Sequence, residues 1–164
     1  MIRVHLTESE IRICNYIGKY RNYITSQLGK ERKQDQTQDG EQMSIRGVLT
    51  EYAVSKYLNL HFDLNCDFRK FGADLTTAKG KTIDVKCTSK DGGNLNAVVW
   101  SERKPCDVFV LTEIRHSHVL IVGWISRDDF LNDHNKRDVG NGEFYSVPQS
   151  QLKPFTEADD KKTL

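Results

Sequence analysis

The chain has 164 residues, enough for one domain with its own core. Apolar residues make up 37% and charged residues 29%, which excludes a wholly disordered chain. A formal net charge of +1 excludes a polycation that coats nucleic acid generically, yet it permits a local basic groove beside clustered carboxylates.

Cys14, Cys66, Cys87 and Cys106 form no Cys-x-x-Cys pair, which argues against a zinc module. Their scatter through apolar stretches suits reduced thiols in a reducing compartment. The opening Met1-Ile2-Arg3-Val4-His5 lacks the apolar run of a signal peptide. The longest apolar run, 119–125, is too short to span a bilayer. A cytoplasmic protein with no membrane attachment is expected.

Thr7-Glu8-Ser9-Glu10 has the spacing of a capping box, and it predicts a helix from there to a stop near Gly29. Ile11, Cys14, Ile17, Ile24 and Leu28 fall on its inner side, with Arg12, Lys19 and Arg21 outside. Residues 1–33 hold seven Lys or Arg against three Glu, a local charge of +4. Residues 30–42 hold no apolar side chain, and they are expected to form a polar, mobile loop.

A second helix is expected over 44–60, capped by Ser44. Gly47, Glu51, Val54 and Leu58 share one stripe, so Glu51 falls among inward positions. It then either reaches water at the stripe's edge or holds a proton, a cation or hydrogen-bond donors. Gly47, one turn earlier, leaves room for another backbone to approach.

Gly72-Ala73-Asp74-Leu75-Thr76-Thr77-Ala78 reads as a turn entering a strand, and Lys79-Gly80-Lys81 as a tight turn. The strand 82–88 follows, making an antiparallel hairpin. Ile83, Val85 and Cys87 give it an apolar face, while Asp84 and Lys86 place an acid and an amine together on the other. Alone, that pair suits a solvated edge. A strand or short helix is expected over 95–100 and a buried central strand over 107–115. The next strand, 118–125, pairs with it through a turn at His116-Ser117. Ser126-Arg127-Asp128-Asp129 opens a short helix, 133–142 is a polar loop, and 143–147 is a last strand. Residues 148–155 pack back, and the tail after 156 frays.

Glu51, Asp74, Asp84 and Lys86 therefore occur in the order helix, strand start, next strand. The segments Arg46-Gly47-Val48-Leu49-Thr50-Glu51, Gly72-Ala73-Asp74-Leu75 and Ile83-Asp84-Val85-Lys86-Cys87-Thr88 resemble the motifs of the PD-(D/E)XK nuclease superfamily. Two departures are visible: Ala73 stands where the nominal motif has proline, and Asp84 where glutamate is commoner. The helix that follows the Asp/Glu-x-Lys strand in that family is not evident between Lys90 and Pro105.

The resemblance implies a single α/β domain with a restriction-endonuclease-like core, a central mixed β-sheet flanked by helices. It implies a Mg2+-dependent endonuclease, with Mn2+ as a substitute, that cuts DNA and leaves 5′-phosphate ends. Asp74 and Asp84, the Val85 carbonyl and Glu51 would be the metal ligands, and Lys86 would orient the nucleophile or stabilise charge. Magnesium suits such a set because it takes oxygen ligands and keeps several waters. Arg46, Lys56, Lys90, Arg103 and Lys104 neighbour these motifs and are candidates for phosphate contacts. A homodimer would allow two cuts on a symmetric site.

Other readings stay open. The helical Gly-x-x-x-Glu, Gly47 to Glu51, is similar to that of Holliday-junction resolvases, a resemblance that implies a branched-DNA resolvase as the alternative. A non-catalytic nucleic-acid-binding module would use the same fold without the chemistry. His116, His118 and His134 lack the strand–helix context of a His–Asn nuclease site, and no nucleophile elbow supports a Ser or Cys hydrolase.

Overall fold

The computed structural model describes residues 1–29, 39–68, 72–116, 118–140 and 142–156. The expected loop over 30–42 and the expected tail after 156 fall largely outside these residues, as does Ser117 of the expected turn. The described chain is mixed α/β. Its main sheet has five strands in the order β1 (Ile2–Val4), β6 (Val119–Ser126), β5 (Val108–Ile114), β3 (Thr82–Thr88) and β2 (Leu75–Thr76). Only β3 and β5 are parallel, and the other pairs are antiparallel. A second sheet runs β4 (Leu95–Val98), β8 (Glu143–Val147), β7 (Lys136–Asp138).

Two helices cover one face of the main sheet in successive layers. In α2 (Gly40–Leu58), Ala53 and Val54 pack on Ile83, Val85, Val108 and Val110, all buried. Each such side chain contributes about 1.5–3 kcal/mol when removed from water. The outer layer is α1 (Glu8–Gln27), which meets α2 through Cys14, Ile17 and Val48. The small sheet covers the opposite face, where Leu95, Tyr145 and Val147 meet Phe109, Leu111 and Ile125. The short α3 (Arg127–Phe130) seals that side with Phe130.

Parallel strands need a crossover. Between β3 and β5 the chain leaves the main sheet, forms β4, makes a 3-10 turn over Val99–Arg103 and returns. That turn brings the chain back against β3, where Lys104 meets Asp84 and the Asp107 N–H donates to the Thr82 carbonyl.

The capping box forms as expected: Thr7 Oγ1 accepts from the Glu10 N–H at 3.2 Å, and Glu10 Oε2 accepts from the Thr7 N–H at 2.6 Å. Several expectations need correction. Helix α2 begins at Gly40 rather than Ser44, because Asp39 Oδ1 accepts from the Glu41 and Gln42 N–H groups and caps it earlier. Ile11 and Leu28 are exposed, since α1 is covered only along its contact with α2. Among the described residues no other segment's backbone approaches Gly47, and a Cβ there would meet Glu51 Oε1 at 3.8 Å. The close approach is at Gly18, where a Cβ would lie 2.6 Å from Ile45 Cα. The polar loop over 133–142 contains a 3-10 turn and β7, held by pairing with β8. Strand β1 is not among the expected elements, although Ile2, Val4 and Leu6 alternate with Arg3 and His5; it pairs with β6. The segment 148–155 does pack back, with Lys153 and Trp124 exchanging backbone hydrogen bonds of 2.8 and 2.9 Å.

Candidate functional site

The site forms where β3 outruns its short neighbour. The hairpin register pairs Leu75 with Ile83 and Thr76 with Thr82, so β2 covers only the start of β3. Asp74 stands at the next position along that edge. Its backbone N–H donates to the Ile83 carbonyl at 3.0 Å, and its Oδ2 accepts from the Val85 N–H at 2.8 Å. A carboxylate thus replaces a partner strand. The Val85 carbonyl faces the same edge, because a strand residue directs its N–H and C=O to one side.

Asp84 is fully buried rather than on a solvated edge. It projects from the face of β3 opposite Ile83 and Val85, beside its register partner Phe109 on β5. Two ammonium groups compensate its charge. Lys104 Nζ donates to Oδ1 at 2.5 Å and also reaches Asp74 Oδ1 at 3.3 Å. The Lys86 ammonium lies against Oδ2 as an ion pair, without the alignment of a hydrogen bond.

These surroundings drive the two carboxyls apart. For Asp84, burial opposes ionisation, but Lys86 and Lys104 outweigh it and hold the group well below the carboxylate range. For Asp74, burial and the charges of Asp84 and Glu51 push it well above that range. Burial likewise disfavours the Lys104 ammonium, but Asp74 and Asp84 raise it above an ordinary lysine.

Glu51 projects from α2 toward the same region. Its Oε2 accepts from Arg21 Nη1 at 2.7 Å, and Arg21 Nη2 donates to the Asp63 carbonyl at 3.0 Å. Glu51, Asp74, Arg21 and Lys104 all line one cavity of about 320 Å3. Gly47 borders this cavity and a larger one of about 1050 Å3, which runs along the rest of β3. Lys86, Arg46 and Lys90 line the larger cavity, with Asp39 and Asp91 also on its wall.

The structure therefore brings Asp74, Asp84, Val85 and Lys86 together at β3, with Glu51 on the wall of the cavity that Asp74 lines, and it sets Arg46 and Lys90 along the adjoining groove. Arg103 lines a different cavity, of about 480 Å3, with Thr82 and Arg127. Lys56 lies elsewhere: its Nζ is 2.8 Å from both Glu10 carboxylate oxygens and donates to the His5 carbonyl at 3.2 Å. Lys104, expected as a phosphate contact, instead sits between the two aspartates.

Three further groups support this region. Arg21, expected on the outer side of α1, instead turns inward to Glu51: it falls one helical turn after Ile17, the same kind of signal that singled out Glu51 on α2. The central position of Lys104 carries no local signal, since only the crossover returns it to β3. Glu113 is a buried acid on β5 whose Oε1 accepts from the Gly92 N–H at 3.1 Å and from Gln149 Nε2 at 2.5 Å. It anchors the turn that closes the groove, and its place inside an otherwise apolar strand was the available hint.

The donor set fits a hard divalent cation. Asp74 and Asp84 offer carboxylate oxygens, Val85 a carbonyl and Glu51 a third carboxylate across the cavity, and hard cations take oxygen ligands. Among the described residues no three acids, histidines or cysteines already converge on one point. Glu51 is turned to Arg21, and the aspartates to Lys104 and Lys86. The His118 and His5 rings lie 5.6 Å apart and are tilted by 46°. No helix among the described residues is long and apolar enough to cross a membrane.

A mixed α/β domain with an acid–lysine cluster at an open strand edge is the class that fold and cluster define. The chain belongs to the family of unknown function DUF5843, which matches residues 2–116. That match includes every acid and lysine of the cluster and stops before β6. No curated protein and no solved structure matches the chain.

Proposed function

We propose that this chain is a metal-dependent endonuclease of the PD-(D/E)XK type, built on a restriction-endonuclease-like core, that hydrolyses DNA phosphodiester bonds to 5′-phosphate products. One observation carries the reading. Asp74, Asp84 and Lys86 cluster where β2 leaves β3 uncovered, and Glu51 from a separate helix lines the same cavity as Asp74.

Asp74 and Asp84 would hold Mg2+ or Mn2+ with the Val85 carbonyl, and Glu51 would close the set once turned from Arg21. The ion supplies charge stabilisation at the phosphate and a more acidic water. Lys86 spans the aspartate and the groove, so its ammonium can orient the attacking water or neutralise charge on a phosphate oxygen. Arg46 and Lys90 are placed to hold the backbone on either side without reading bases. The buried, prebuilt carboxylates favour positioned chemistry over loose binding.

A second reading, a non-catalytic nucleic-acid-binding module, draws on a different observation: each acid of the cluster already has a cationic partner. One experiment separates the two. Purified protein is incubated with supercoiled plasmid, linear duplex, single strand, a four-way junction and RNA, in Mg2+, Mn2+ or EDTA. Metal-dependent cutting that disappears in Asp84→Asn and Lys86→Met is expected. Preferred cutting of the junction would place the chain among resolvases, and preferred cutting of RNA would replace DNA as substrate. Binding without cutting selects the module, and cutting that survives in Asp84→Asn sinks the site.

A further inference from the structure

We infer that Lys104 is a built-in counter-ion occupying the divalent cation's seat, and that metal entry requires its ammonium to swing out. The inference rests on the nuclease reading above and adds a gating residue that the family motifs do not contain.

The first argument is position. Lys104 Nζ bridges Asp84 Oδ1 and Asp74 Oδ1, at 2.5 and 3.3 Å. These two oxygens belong to the two acids that would hold a metal, and among the described residues no other cation of the cluster touches both. Lys86 reaches only Asp84.

The second argument is charge. Asp74, Asp84, Lys86 and Lys104 together are electroneutral when ionised, as are Glu51 and Arg21. A divalent ion added to this set would leave a buried excess of positive charge beside an ammonium of like sign. Such an excess is strongly disfavoured in a poorly hydrated site. Expelling Lys104 lowers the excess and frees both aspartate oxygens at once.

The third argument is that the side chain has somewhere to go while its backbone does not move. The Lys104 N–H donates to the Ser101 carbonyl at 3.1 Å, its own carbonyl accepts from Arg127 Nη1 at 2.7 Å, and Pro105 follows. The residue lies on the boundary of two cavities, the 320 Å3 cavity with Glu51 and Asp74 and the 480 Å3 cavity with Glu102, Asp107 and Arg127. Rotation about side-chain bonds alone carries the ammonium from the first to the second, where Glu102 and Asp107 offer new carboxylates. Lysine suits this role because its ammonium is a compact point charge on a flexible stem.

The test is a Mn2+ titration of the full chain, reading free Mn2+ by electron paramagnetic resonance, for wild type, Lys104→Met, Lys104→Arg and Asp84→Asn. If the lysine holds the seat about nine-tenths of the time, Lys104→Met binds Mn2+ about tenfold more tightly than wild type. Lys104→Arg, which keeps the charge, should gain nothing, and Asp84→Asn should lose binding. Reductive methylation of the wild type, with modified lysines located by mass spectrometry, supplies a measurement that needs no variant to fold. Lys104 should be protected in EDTA and become reactive in saturating Mg2+. Unchanged or weaker Mn2+ binding by folded Lys104→Met, or protection that persists in Mg2+, overturns the gate while leaving the nuclease reading intact. Absence of Mn2+ binding by both wild type and Lys104→Met overturns the nuclease reading, and the gate with it.

Discussion

Arg21 on α1 and Glu51 on α2 form a 2.7 Å ion pair that is mostly shielded from solvent, their side chains being 23% and 16% exposed. The same guanidinium holds the Asp63 carbonyl, so one arginine joins both helices to the segment leading toward the cluster. Removing either partner alone leaves a shielded charge uncompensated. Arg21→Met is expected to cost about 2–3 kcal/mol. A double-mutant cycle with Glu51→Gln, read by urea unfolding, should return a coupling of about 1–2 kcal/mol. Strict additivity would mean that the pair does not hold the helices together.

The helical glycines Gly18 and Gly47 are expected to respond oppositely to alanine. At Gly18 the new methyl would meet Ile45 backbone atoms at 2.6 and 2.9 Å, and neither can move without separating the helices. A loss of about 1–3 kcal/mol follows from such overpacking. At Gly47 the nearest atom is a carboxylate oxygen at ordinary contact distance, so Gly47→Ala should gain up to about 1 kcal/mol from helix propensity. Thermal unfolding of the two variants checks both signs.

Glu10 links acid stability to the α1–α2 contact. Lys56 lowers its carboxyl from the ordinary 4.5 to about 2; burial opposes the change, and hydrogen bonds from Thr7 and Tyr52 add to it. Because the folded value lies below the unfolded one, the unfolded chain binds the proton more readily between them. The stabilisation is therefore complete above pH 4.5 and fades as pH falls toward about 2. Melting temperature followed from pH 6 downward should drop less steeply in Glu10→Gln than in wild type over that interval. Parallel curves would show that the carboxylate is not held in this way.

The four thiols should separate by reactivity. Burial pushes Cys14 and Cys87 up to about 11 and Cys106 up to about 12. At pH 8 a thiol with a value near 11 is ionised only about one part in a thousand, and the thiolate is the reactive form. Cys66 is partly exposed on the wall of the smaller cavity. A disulfide reagent should titrate one thiol rapidly in the native protein and the rest on unfolding, and Cys66→Ser should remove the fast phase.

Much of this architecture was legible because its signals are local. The Thr7–Glu10 box needs four consecutive residues, and the apolar alternation of β3 needs seven. The hairpin before β3, the central position of β5 and the Ser126 cap of α3 likewise follow from short-range turn chemistry and periodicity. The order of Glu51, Asp74, Asp84 and Lys86 could be read for the same reason: Glu51, Asp84 and Lys86 stand on elements whose period shows their facing, and Asp74 directly precedes β2.

Tertiary structure alone decided what surrounds those residues. Asp84 is buried because the crossover returns Lys104 and Cys106 to β3, and a contact between residues twenty apart leaves no mark on either neighbourhood. Strand β1 forms because β6 presents an edge to it, and Gly18 matters because Ile45 crosses there. Periodicity tells a side chain which way to face. Only the packing of distant segments determines which charge, backbone or cavity it finds there.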